Sequence, residues 1–418
     1  MNSVPAAPTS PTSAALPVHR LLRAHADRHR AGLQLYAGCN YLSPAAAQAL
    51  SCGLGAMPAM GAPFAKQQPG TDEVSALEEL VESQLLDLFG GAWAEARLPS
   101  CTLANAAVYT SLCPPGGLIA TIAARDGGHV SQQAEGTIGM LGRRTMGLPF
   151  AGGRLDDAQA AAAVAQHRPA IVMVGGSVML QPYRLEQTLS AARDVGAVLV
   201  YDASHVLGLI AGGLFQDPIG MGVDLMTAST YKSLGGPPGG IIVGRHSAHA
   251  QALRAQVVGT WTSNYDAARL ASLSIALAEA RTFMPAYARH MVENARALAQ
   301  ALHGLGVPVC GINPGDELPQ THQLVLRCAS PQEALALSRL AEGHGIYIGT
   351  CSVPGDAAAG GLRIGTQALT RRGAQAADML DIASCIASVM GRSAAIDVAA
   401  AVRRVAGRLG GFHYGYAS

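Results

Sequence analysis

Two periods run through the apolar and polar positions of this chain. Over residues 71–89 the apolar side chains Val74, Leu77, Leu80, Val81, Leu85 and Leu86 recur at helical spacing, which predicts a long amphipathic helix. Ser43 followed by Pro44 predicts a helix start, since serine caps the first turn and proline suits its first position. Further on, short apolar runs alternate with helical stretches: strands at 170–174, 197–201, 224–230 and 240–243, and a helix at 185–195. Such alternation predicts an α/β domain with a mainly parallel sheet. An Ala-rich helical stretch over 266–305 bridges to a remainder with a strand at 323–327, a helix from Pro331, a strand near Ile346 and a closing helix from Gly373. That remainder reads as a small α+β domain. Residues 1–16, rich in Pro, Ser and Ala, read as a disordered arm, and residues 19–30 as a basic helix on the outside. The expected division is an arm over 1–30, a large domain over 31–285 and a small domain over 286–418, with no internal repeat.

Composition narrows the class. With 418 residues, 49% apolar and only 14% charged, the chain is core-rich and suited to a large domain plus a smaller one. A formal charge of +1 gives no reason to expect nucleic acid or an anionic membrane as partner. The eight cysteines form no C-x-x-C pair and no metal-like spacing, so no metal site is expected and reduced thiols in the cytoplasm are the simplest account. There is no signal-peptide layout and no spanning run of roughly 18 or more apolar residues.

The chemistry concentrates between Val198 and Gly240. VLVYDASH ends an apolar run in Asp202, Ser204 and His205, and DLMTASTYK ends the next in Tyr231 and Lys232, followed by a loop of glycine and proline. A lysine directly after a buried strand is an odd place for a solvated charge, and ligands of open α/β sheets gather at such strand ends. The trio of Lys232, Asp202 and His205 suits pyridoxal phosphate. Lysine can form a Schiff base with the cofactor aldehyde, and a carboxylate can hold the pyridine nitrogen protonated. A dinucleotide-binding dehydrogenase is disfavoured, because no G-x-G-x-x-G follows an early strand.

With these residues in view, the stretch resembles serine hydroxymethyltransferase, a fold-type I pyridoxal phosphate enzyme with a D-x-x-H segment ahead of a T-H-K-x-L-x-G-P-x-G-G loop. The resemblance extends over about residues 35–390. It implies a large domain with a mainly parallel sheet of the seven-stranded type, and an α-amino acid substrate. It further implies that His129, in Asp126-Gly127-Gly128-His129, stacks on the cofactor ring. Ser100-Cys101-Thr102, followed by Ala104-Asn105, would bind its phosphate, with a cysteine at the central position where the family has glycine. Ser177 would stand near the ring oxygen. Gly239 and Gly240 would approach the cofactor phosphate of a neighbouring subunit, which implies a homodimer with shared active sites. Arg363, in GGLRIGTQALTRRG, would hold the substrate carboxylate with its planar fork. Tyr41, in the segment Gly38-Cys39-Asn40-Tyr41, would join it at the substrate.

The resemblance breaks where hydroxymethyl transfer needs its acid–base groups. Counted without a gap, the family glutamate falls on Met60, its preceding tyrosine on Pro58, and a later tyrosine pair on Gln67 and Gln68. Tyr231 replaces a histidine, Pro238 an arginine, and Gly349-Thr350-Cys351 an asparagine-rich run that helps hold folate. The acid–base candidates left are Lys232, His129, His205 and Tyr231. The expected function is therefore a folate-independent enzyme acting on a β-substituted α-amino acid, by aldol-type Cα–Cβ cleavage or exchange, or by β-elimination. Folate-dependent serine hydroxymethyl transfer is an alternative. So is a cofactor-binding protein without turnover, against which Lys232, Asp202 and Arg363 together speak.

Overall fold

The computed structural model describes residues 16–311, 319–393 and 396–417. The expected arm lies outside them up to residue 15; a helix over Leu16–Ala31 follows, largely exposed and basic in its last turn.

The large sheet is built from β1 (Trp93–Leu98), β2 (Leu118–Thr121), β3 (Arg144–Gly147), β4 (Ile171–Gly175), β5 (Val198–Asp202), β6 (Leu225–Ser229) and β7 (Gly240–Gly244), in the order β1-β7-β6-β5-β4-β2-β3. All neighbours run parallel except β7, which is antiparallel to both β6 and β1. The central strands are buried along their whole length, which is why they read in the sequence as continuous apolar runs rather than alternating ones. β5 and β6 point the same way, so their C-terminal ends deliver Asp202 and, just past β6, Lys232 to one edge of the sheet. The lysine loop turns back as β7, and Gly240 lets that return pass close to the start of the helix that follows β1. A Cβ there would meet the Ser100 carbonyl oxygen at 2.2 Å.

The helix expected over 71–89 is α1 (Asp72–Phe89), and α2 (Cys101–Leu112) follows β1. The bridging helix is α3 (Ala267–Gly304), 38 residues long and capped by Asp266, whose carboxylate accepts from the N–H groups of Ala268 and Arg269. Its residues to Val292 pack in the core under the large sheet, and those from Ala295 pack in a second core. That second core covers a three-stranded antiparallel sheet of β8 (Gln323–Cys328), β9 (Gly349–Val353) and β10 (Asp356–Gly365), in the order β8-β10-β9. It also takes in Leu33 and Leu35, because Leu33–Gln34 pairs in parallel with Ile346–Tyr347. We therefore propose that the two units divide within α3, between Val292 and Ala295, with the segment around Leu33 on the small-domain side.

One expected element starts elsewhere. The closing helix does not begin at Gly373: a short helix occupies Gln367–Arg371, Gly373 turns with φ 93°, and Met379–Val389 follows. A reciprocal bond between Gln375 and Asp378 caps the turn ahead of it.

Candidate active site

Asp202 is the last residue of β5 and is 5% exposed. A buried carboxylate must be met by donors. Its Oδ2 accepts from Asn105 Nδ2 at 3.0 Å and from Gln132 Nε2 at 2.8 Å, and its Oδ1 from the backbone N–H of Ser204 at 3.0 Å. Asn105 is itself oriented by Thr227, whose hydroxyl donates to it at 2.7 Å. The Cys101 thiol lies 3.7 Å from Oδ1, and burial pushes its pKa up, so it stays S–H.

Ser100 caps α2, its hydroxyl accepting from the N–H of Leu103, while Cys101 and Thr102 form the first helical turn. Cys101 is therefore helical, and no glycine freedom is required at this place. Hydroxyls and free N–H groups at a helix start form a cradle suited to phosphate.

Lys232 is 8% exposed, with Nζ 3.1 Å from Nε2 of His205 and 6.0 Å from the Tyr231 ring centre. Burial holds its amine below the usual value; Arg363 adds to that, and Asp202 and Cys101 oppose it. Burial likewise pushes the Tyr231 phenol up, so it stays protonated. His129 is half-buried, and burial lowers its pKa. Its Nδ1 accepts from the N–H of Ser131, so the neutral ring carries its hydrogen on Nε2. Ser177 donates its N–H to Gly127 and presents its carbonyl to Arg363 Nη1 at 2.6 Å.

Ser100, Cys101, Thr102, His129, Ser177, Asp202, His205, Tyr231 and Lys232 thus line one cavity. Gly239 and Gly240 do not line it. Gly240 backs onto Ser100 and Cys101, and a Cβ on Gly239 would meet Arg269 Nη1 at 2.4 Å. Arg363, on β10 and 7% exposed, does not line the cavity either. Its Nε is buried without a partner, and among the described residues no carboxylate pairs with it. Tyr41 departs from its expected place: its enclosed, unpartnered hydroxyl lies near Arg372, whereas Tyr36 sets its ring 5.8 Å from the Arg363 guanidinium. Tyr36 reaches that place because Gln367 binds the carbonyls of Tyr36 and Cys39.

The family model for serine hydroxymethyltransferase matches residues 14–386. This chain belongs to the serine hydroxymethyltransferase family. An alpha-methylserine aldolase of Variovorax paradoxus is 36% identical over 397 residues, 93% of this chain and 89% of the relative. A serine hydroxymethyltransferase of Pyrobaculum calidifontis is 34% identical over 377 residues, 88% of this chain and 87% of the relative. Among solved structures, L-threonine transaldolase from Pseudomonas fluorescens superposes with a TM-score of 0.90 at 27% identity, over 96% of this chain and 93% of that one. The fold is that of a fold-type I pyridoxal phosphate enzyme, and pyridoxal phosphate is the family's cofactor. The donor set fits it: a hydroxyl-lined helix start for the phosphate, a buried carboxylate for the pyridine nitrogen, and an amine for the aldehyde.

Several residues of the site carry no sequence signal strong enough to have named them. Gln132, Gln323 and Tyr36 belong here, as does Asn40, which donates to the carbonyl of Lys232 at 2.9 Å. The one hint is Thr321-His322-Gln323, three polar residues heading an apolar strand and all fully buried. Both ring nitrogens of His322 lack partners, and burial, then Arg363 and Lys232, push its pKa down to about 3. Its native ring stays neutral while the unfolded chain takes up a proton below the ordinary value of 6.5. Stability therefore falls as pH drops through that window, by about 2 kcal/mol at pH 5 from this residue. Denaturant midpoints at pH 7 and pH 5 check this: His322→Leu should lose less stability on acidification than the unaltered chain.

Proposed function

We propose that this protein is a folate-independent aldolase or transaldolase of β-hydroxy α-amino acids, working at Lys232. One observation carries the reading. The groups that hold the cofactor and an amino acid stand together in this chain, while the hairpin where the family has its glutamate and tyrosines carries Met60, Gln67 and Gln68. Its relatives named alpha-methylserine aldolase and L-threonine transaldolase support the same reaction class.

The residues divide the work by their protons. Arg363, desolvated and without an anion, binds the substrate carboxylate, and Tyr36 packs beside its guanidinium. Asp202 holds a proton on the pyridine nitrogen. When bound, the cofactor supplies an electron sink for the pair left on Cα as the Cα–Cβ bond breaks. His129 would cover the cofactor ring, and it offers an Nε2–H rather than a lone pair. Tyr231, with its phenol kept protonated, is a donor as well. Lys232, whose amine is biased toward the neutral form, is the base among them. Arg363 clamping the carboxylate disfavours decarboxylation.

The hairpin explains why folate is not needed. Gly61–Ala62 pairs with Ala65–Lys66, and a buried ion pair from Lys66 Nζ to Glu78 at 2.6 Å pins it to α1. Asp72 and Glu73, the next carboxylates along the chain, are exposed in the first turn of α1. Met60, Gln67 and Gln68 do not line this chain's own cavity. The hairpin also exposes Met57 and Phe64, 56% and 59% accessible. We infer that a second copy covers these side chains in a homodimer and receives the hairpin, with Gly239 and Gly240, at its cofactor site. All eight cysteines are free thiols, which suits a reducing cytoplasm. Among the described residues no helix is long and apolar enough to cross a membrane.

Borohydride reduction followed by peptide mapping should place the pyridoxyl label on Lys232; a label on any other lysine ends the proposal. Arg363→Ala should weaken amino-acid binding by about 2–5 kcal/mol, read from a titration of the cofactor spectrum. Turnover of a β-hydroxy amino acid should proceed fully without tetrahydrofolate. A site lacking the expected polar partners discriminates against such a ligand by as much as about 10⁴-fold. Serine yielding glycine only when folate is present would show the hairpin to be misread.

A further inference from the structure

Gln323 heads β8 in the small domain, and its amide reaches the turn after β4. The two ends of that amide are told apart by their partners. Oε1 accepts the backbone N–H of Met179 at 2.9 Å, and Nε2 donates to the Ser177 carbonyl at 3.2 Å. A reversed amide would set N–H against N–H and oxygen against oxygen, so only one orientation fits. The same Nε2 lies 2.9 Å from His205 Nδ1, and His205 Nε2 lies 3.1 Å from Lys232 Nζ.

From the orientation follow the protons. An amide nitrogen only donates, so His205 Nδ1 accepts and carries no hydrogen. The ring is neutral: burial, then Lys232, Arg363, His322 and His129, disfavour its cation. Its single hydrogen is therefore on Nε2 and faces Lys232. That bond requires a lone pair on Nζ, which an ammonium lacks. Around Lys232 itself, Arg363 from β10 acts in the same direction, and Asp202 from β5 and Cys101 from α2 act against it.

We propose that Gln323 is a positioning residue: by donating to His205 Nδ1 it fixes the histidine's tautomer, and through Nε2–H it holds Lys232 as a neutral amine. A neutral amine can add to an aldehyde carbon, and an ammonium cannot until it loses a proton. This consequence for cofactor capture rests on the reading of Lys232 given above; the tautomer does not.

The test uses the full chain, freed of cofactor and labelled with ¹⁵N-histidine, with His205 assigned by its loss in His205→Asn. Between pH 6 and 8, His205 should show an unprotonated Nδ1 and a protonated Nε2. A hydrogen on Nδ1, or an imidazolium, overturns the proposal whether or not any variant folds. In Gln323→Glu, a carboxylate that only accepts should draw the hydrogen to Nδ1. The pH midpoint for capture of pyridoxal phosphate, followed by absorbance, should then rise by about one unit or more. Gln323→Leu, which cannot donate, should move it the same way. An unchanged midpoint in either folded variant overturns the proposal. If borohydride labels a different lysine while the tautomer stands, the functional reading fails and the relay survives; the reverse pattern rejects the relay alone.

Discussion

A carboxylate buried at the end of the central strand is the constraint on which the rest of the site depends. Removing Asp202 from water costs several kcal/mol unless donors replace the solvent. The donors come from three separate segments: Asn105 from α2, Gln132 from the turn after β2, and the N–H of Ser204 from its own turn. Meeting that single charge therefore holds the helix start with its hydroxyls, the loop bearing His129 and the end of β5 in one relation. The cofactor cradle is the by-product of satisfying one anion. Loss of the anion would leave Asn105 and Gln132 amide groups buried without partners, which is itself unfavourable.

The strands around the site approach at backbone distance, and glycine makes that possible. At Gly175, with φ 97°, a Cβ would meet the Asp202 carbonyl oxygen at 2.2 Å. The lysine loop is tied down on its far side by a buried pair, Arg371 to Glu279 at 3.1 Å, with the Arg371 guanidinium 4.8 Å from the Phe412 ring. Gly235 lies against that guanidinium, where a Cβ would approach Nη1 to 2.1 Å. The C-terminal segment joins in through the N–H of Tyr416, which donates to Glu279. Arg371 thus backs the loop that carries Lys232 on one side, while on the other Gln323 reaches His205, which meets the Lys232 amine, and Arg363 reaches the Ser177 carbonyl.

What could be read from the sequence follows period and punctuation. The strands β4 to β7 were legible because they are largely apolar, and Asp202 and Lys232 because charge at the end of such a run is anomalous; β1, fully buried yet carrying Glu95 and Arg97, was not. Bounds agreed to within a residue or two, as for the helix expected over 266–305 and found at Ala267–Gly304. Apart from Arg363 and the polar run Thr321-His322-Gln323, side chains that reach the site from afar left no local trace. Nothing in the neighbourhood of Gln132 distinguishes a buried donor from a solvated amide. Tyr36 and Tyr41 are five residues apart, and which of them faces Arg363 is set by Gln367 pulling on the intervening carbonyls, a contact 331 positions away in the chain. The helix start at Gly373 failed because a positive φ and a distant cap, rather than apolar spacing, decide where the turn ends.

The division of labour in space accounts for how this family can change reaction while keeping its cofactor. The groups that hold the cofactor sit at strand ends and helix starts, where moving one disturbs the donors of Asp202. The hairpin bearing Met60 is held by Lys66 and Glu78 on the face of α1, and shares no hydrogen bond with the Asp202 network. Substitutions there leave the donors of Asp202 in place. Within this chain the two sets of residues share no hydrogen-bond partner, a condition that favours effects adding rather than coupling. On the function proposed above, an apolar side chain at position 60 would remove one proton-transfer group without touching the donors of Asp202, and the chemistry that remains would be set by Lys232, Arg363, Tyr231 and the histidines of this chain.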